Sequence, residues 1–196
     1  MRTLQGWGSK AVLAVLAMVS SGAACAIDSA GAVRAANAWT ALSPGDDIRT
    51  DIMASRVHIA DLDRDGIEEV VYLLTARCIG AGFDCTNEVV VMTPLRESDP
   101  RFMRSLGGEE DERRVKASGY AGDVALQIPG EVRALVIVDH RIRVDFVVER
   151  DSTICKRSLE RKDPCPEPGP YRWTLSWRPG ELTQAGEAAS AKGKAR

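Results

Sequence analysis

The stretch Ser55-Arg56-Val57-His58-Ile59-Ala60, Asp61-Leu62-Asp63-Arg64-Asp65-Gly66-Ile67-Glu68, Glu69-Val70-Val71-Tyr72-Leu73-Leu74 reads as a strand, an acidic turn and a returning strand. The first segment alternates in polarity and the third is rich in β-formers, the patterns that pleated strands favour. Between them three aspartates occupy alternate places, Gly66 follows the third, and an acid returns at Glu69. Alternate residues of a tight loop point the same way, so Asp61, Asp63 and Asp65 can offer oxygens to one hard cation. Calcium takes about 6–8 such ligands and tolerates irregular geometry. Gly66 lets the backbone turn sharply without a Cβ penalty. An EF-hand would need a glutamate at the twelfth place and flanking helices. Counted from Asp61 that place is Tyr72, and the flanks read as strands.

Outward from this stretch the pattern stays β. Val89–Met92 is a short apolar run, Val124–Ile128 ends at the turn signal Pro129-Gly130, and Val132–Val138 is a further apolar run. Arg141–Val147 and Tyr171–Trp177 alternate, as strands with one buried and one wet face do, and Asp139-His140 is expected to turn the chain. The expected fold class is all-β: mostly antiparallel sheets, sandwich or propeller-like, in one domain over 41–183. Residues 27–40 read as a linker or short helix, Arg101–Leu106 as a single helical turn, and Gly107–Glu112 as a solvated loop. Residues 184–196, rich in Ala, Gly, Lys and Ser, read as a disordered tail. The calcium motif has no second copy and no internal repeat is evident.

Residues 1–26 follow the order of a secretory signal peptide. Arg2 and Lys10 are the only charges, Ala11–Val19 is apolar, and Ala24-Cys25-Ala26 offers a small-residue cleavage site. The apolar run is shorter than the ~20 residues a membrane span needs. A periplasmic or secreted location follows as an expectation. The alternative is an outer-membrane lipoprotein anchored at Cys25, although the leucine usual three places earlier is absent. Removing this segment leaves 24 basic against 28 acidic residues, a balance of −4. No basic block is interleaved with aromatics, so nucleic-acid binding is not expected.

Four cysteines remain, Cys78, Cys85, Cys155 and Cys165. An even number in an exported chain implies disulfides, and four allow three pairings. The local pairs Cys78–Cys85 and Cys155–Cys165 are the expected ones, each closing a short segment. Zinc is the rival use of four thiols, but no C-x-x-C spacing is present.

A strand–DxDxDGxxE–strand unit resembles the calcium loops of FG-GAP and VCBS repeats, found in β-propellers and related extracellular β proteins. The resemblance implies that Asp61, Asp63, Asp65 and Glu69 supply side-chain oxygens and Ile67 its carbonyl. Glu69 stands where aspartate is usual, and Arg64 where a small or amide residue is preferred. Both departures would weaken binding. A second, fainter similarity is carried by Ser118-Gly119-Tyr120, between two expected strands. Periplasmic lysozyme inhibitors of the invertebrate-type class carry an S-G-x-Y loop that enters the enzyme's cleft. The tripeptide here is one residue short of it, and an ordinary glycine turn is the plainer reading.

Catalytic patterns are sparse. His58 and His140 sit in no metal-ligand spacing, and the sequence contains no G-x-S-x-G, Walker or G-x-G-x-x-G motif. The sequence therefore suggests an exported, non-catalytic binding protein with one structural calcium. Its sharpest form is an inhibitor or immunity protein whose partner is a peptidoglycan hydrolase. A carboxylate-dependent glycan hydrolase stays open, because its acid pair is defined in space rather than by spacing. A structural envelope protein is the third reading.

Overall fold

The computed structural model describes residues 27–42, 52–75, 87–96, 108–150, 152 and 165–189. Two four-stranded antiparallel meanders follow one another along the chain. The first comprises β1 (Val57–Ala60), β2 (Glu69–Thr75), β3 (Asn87–Pro94) and β4 (Tyr120–Ile128), in that spatial order. The second comprises β5 (Glu131–Val138), β6 (Arg141–Val148), β7 (Gly169–Arg178) and β8 (Glu181–Ala189), again in order. The expectation of a mostly antiparallel β fold holds. The two sheets share one apolar layer, in which Val71, Leu73, Val89 and Val91 meet Ile142, Val144, Phe146 and Leu175. That is the packing of a sandwich, not of a closed barrel.

The first sheet is buried on both faces. Along β2, Val71 and Leu73 face the second sheet, while Val70, Tyr72 and Leu74 face a helix, α1 (Ser29–Thr40). This explains why 70–74 reads as an unbroken apolar run rather than an alternation. The N-terminal expectation of a linker or short helix resolves as that helix. Asp28 caps it, accepting from the Gly31 N–H at 2.6 Å, and Ala32, Ala35 and Ala36 form its buried stripe. In this layer the Tyr72 hydroxyl lies 3.1 Å from Thr40 Oγ1. Burial pushes the Tyr72 phenol up to about 12, and burial also raises Tyr120. A raised folded pKa means that stability is complete below the ordinary value near 10 and is lost as pH climbs toward 12. Absorbance titration of phenolate formation should therefore find Tyr72 and Tyr120 resisting ionisation above pH ~10 until the protein unfolds.

The second sheet is one-sided. In β6, Ile142, Val144, Phe146 and Val148 are buried and their neighbours face outward. Asp139 and His140 both adopt left-handed φ values, 49° and 61°, the geometry of a two-residue hairpin turn. The corner between the sheets is tighter still. A Cβ on Gly130 would lie 2.4 Å from the Val147 carbonyl, and the Gly130 carbonyl itself accepts from buried Asn87 Nδ2 at 2.8 Å. Gly130→Ala must therefore move backbone. A loss of roughly 2–4 kcal/mol in denaturant unfolding is expected.

Three local expectations are corrected. Glu109–Glu112 is not a loop but the first turn of a second helix, α2 (Glu109–Ser118). Its acids lie at the positive end of the helix dipole, and Glu110–Arg114 and Glu112–Lys116 pair one turn apart. The segment 120–123 is strand, since Pro94, Thr93 and Met92 pair with Tyr120, Ala121 and Gly122. The tail expected from 184 is strand as far as Ala189, because Trp173 and Tyr171 pair with Glu187 and Ala189. Backbone pairing there overrides a composition that favours disorder. The signal segment with Cys25, the 101–106 turn and residues 190–196 lie outside the described residues. So do Cys78, Cys85 and Cys155; Cys165 is disulfide-bonded, and its partner lies outside them too.

Candidate metal centre

The acidic turn joins β1 to β2 at one end of the sandwich. Leu62 points inward and is buried in the inter-sheet layer, which throws Asp61 and Asp63 the other way. The loop folds on its own carboxylates. Asp61 Oδ1 accepts from Arg64 N at 2.6 Å and Oδ2 from Gly66 N at 3.0 Å. Asp63 Oδ1 accepts from Asp65 N at 3.2 Å, and Asp65 Oδ1 from Ile67 N at 2.7 Å. Gly66 takes φ 85°, as its place in the motif anticipates, and Arg64 takes φ 67°, a left-handed conformation that costs a non-glycine residue about 1 kcal/mol.

These turns bring one carboxylate oxygen from each of Asp61, Asp63 and Asp65 within 4.8 Å of one another. Oxygens bound to one calcium at about 2.3–2.6 Å cannot be more than about 5 Å apart, so the donor set fits that ion. Glu69 stands apart from the three. It is buried, and its Oε2 accepts from Leu62 N at 2.8 Å. Burial pushes its carboxyl up to about 7, the Leu62 N–H opposes this, and the charges of Asp63, Asp65 and Asp61 add to the rise. A cation in the loop would favour the ionised form. Ile67 exposes its side chain and engages its N–H with Asp65.

The second sheet holds this loop at one point and the neighbouring β4 strand at another. His140, in the β5–β6 turn, donates from Nδ1 to the Asp61 carbonyl at 2.6 Å; a carbonyl only accepts, so Nδ1 carries the hydrogen. On the other side Asp123 reaches the β7–β8 turn, where its Oδ2 accepts from Trp177 Nε1 at 3.0 Å and from Gly180 N at 2.7 Å. Asp123 is the extra residue of a β-bulge, since Val91 pairs with Val124 but Met92 with Gly122. Sequence reading singled out neither Asp123 nor the His140 contact. The one signal was Gly122-Asp123 breaking the alternation of Tyr120–Ile128. Between loop and turn lies a cleft of about 470 Å³, lined by Asp63, Asp65, Glu69, Arg96, Asp123 and Trp177, among others. Comparison with known protein families, curated proteins and solved structures finds no match. Function must therefore be argued from this end of the molecule.

The other sequence-derived candidates fall elsewhere. Ser118, Gly119 and Tyr120 form the C-terminal cap of α2 rather than a projecting loop. Ser118 Oγ donates to the Val115 carbonyl, and Gly119 takes the left-handed cap at φ 74°. Tyr120 is turned inward, its hydroxyl donating to the Glu68 carbonyl at 3.1 Å. The phenol thus braces the acidic loop from below. His58 lies between the sheets, bonded to the Leu135 backbone, and burial lowers its pKa. Asp123→Ala should strand the buried Trp177 N–H and free the β7–β8 turn. A loss of about 1–3 kcal/mol is expected, with a red-shifted tryptophan emission as the readout.

Proposed function

We propose that the chain is an exported, non-catalytic binding protein whose β-domain is held together by one structural calcium ion. The observation that carries this reading is the convergence of Asp61, Asp63 and Asp65 in a loop tied to both sheets. An ion there would neutralise three carboxylates that repel one another at a few ångströms. It would also fix the positions of β1, β2 and the two hairpin turns around the cleft. Asp61, Asp63 and Asp65 would hold the ion, with Glu69 and the Ile67 carbonyl as the further donors that the FG-GAP-like motif implies. Each of these donors is supplied by this chain, so the ion's part is structural.

The sharper form of the reading is an inhibitor or immunity protein directed at a cell-wall hydrolase. The cleft end, with its acids, Arg96 and Trp177, is the surface to test. Affinity capture from a periplasmic extract with wild type and an Arg96→Glu variant tests it. The expected result is a stoichiometric hydrolase, inhibited on binding and lost with the variant. Turnover of peptidoglycan by the purified protein itself would overturn the reading in favour of a carboxylate-dependent hydrolase.

A further inference from the structure

The second sheet has a face that no helix covers among the described residues, whereas the first is packed against α1. Alternation decides what that face displays. Ile142, Val144 and Phe146 point into the core, so Arg141, Arg143 and Asp145 point out. The register places Val138 beside Arg141, Val136 beside Arg143, and Arg172 beside Asp145. Asp145 is spent: its two oxygens accept from Arg172 Nε at 2.6 Å and from Nη2 at 3.0 Å. Among the described residues Arg141 and Arg143 make no such paired hydrogen bonds; Arg143 adds only its charge to the field at Asp145, and its Nε is buried without a hydrogen bond. Val138, next to them, is 42% exposed.

The sign of this face is opposite to that of the chain. Arg141, Arg143, Arg172 and Arg178, with Arg133 at the β5 bulge, stand against Asp145, Glu181 and Glu131 on the outward positions, and Arg133 is paired with Glu131 at 2.9 Å, while the whole chain carries −2. A paired sheet sets these groups on one level rather than around a hollow. That suits an extended anionic surface better than a small molecule. A guanidinium matches phosphate oxygens in planar, paired fashion, and an apolar residue between cations can enter the headgroup level. We propose that this face docks on an anionic lipid surface, with Arg141 and Arg143 on the phosphates and Val136 and Val138 between them. No helix of the described residues is long and apolar enough to span a bilayer.

Co-sedimentation with phosphatidylcholine vesicles, with and without phosphatidylglycerol, tests this on the full chain. Any contribution of the apolar run at 11–19 is common to all variants and cancels. Wild type should bind the anionic vesicles and release them as salt rises. Each arginine removed should weaken binding about fivefold, and Arg141→Glu with Arg143→Glu by more than about 25-fold. Val138→Asp should weaken it while leaving the melting temperature unchanged, and Arg113→Glu, in the helical layer, should do nothing. Equal binding to neutral and anionic vesicles would overturn the proposal, as would full binding by the double charge reversal. Retention by soluble polyphosphate or by an acidic protein, with no vesicle binding, would also overturn it.

Discussion

Phe146→Ala should destabilise the protein by about 3–5 kcal/mol, the largest effect expected of any single core truncation. The ring is 1% exposed and sits where the two sheets meet. It stacks on Tyr171 with centroids 5.4 Å apart and meets the edge of Trp173 at 4.9 Å. Its removal takes away the transfer energy of a phenyl ring, two aromatic contacts and the filling of the inter-sheet layer. A cavity remains, because the neighbours belong to two hydrogen-bonded sheets and cannot collapse freely. Urea unfolding should show a lower midpoint with an unchanged slope. A loss below about 1 kcal/mol would mean that the sheets do not share this layer.

Asp61→Ala should be the most damaging change in the acidic loop. Asp61 is at once a member of the three-acid cluster and the acceptor for Arg64 N and Gly66 N. The variant loses two charge-assisted hydrogen bonds and, on the proposed reading, an ion ligand together. With calcium at about a hundred times its dissociation constant, binding alone contributes about 2.7 kcal/mol. For a domain of this size that corresponds to roughly 6–10 °C in melting temperature. The wild type should lose this margin when a chelator is added. The variant should already lack it and show no further change.

The strands were legible in the sequence because their patterning is a direct consequence of burial. Arg141–Val148 alternates since one face is wet, and Val70–Leu74 is continuously apolar since α1 covers the other face of that sheet. The elements that escaped reading carry little such signal. Val115 is the only buried residue of α2, so the acids at 109–112 look like solvated charge. β8 is held by its ladder to β7, which composition does not encode. At the site, the spacing of Asp61, Asp63 and Asp65 announced their convergence. Glu69, Asp123 and His140 were different. Glu69 turns one oxygen to Leu62 N, a bond set by the burial of Leu62. Asp123 and His140 act across 57 and 79 positions of chain, and only the sheet packing brings them to the loop region. Ser118–Tyr120 shows the reverse case: its composition suggests a displayed turn, while the helix before it and the pairing after it make it a cap.

We propose that the loop between β1 and β2 is a calcium site that holds the domain together. Calorimetric titration of metal-free protein with calcium, followed by thermal melting of the same samples, tests it most directly. The account predicts one saturable site, a rise in melting temperature on binding, and loss of both in Asp61→Ala and Asp65→Ala. No binding heat in the wild type, with melting curves that superimpose with calcium and with chelator, would contradict it.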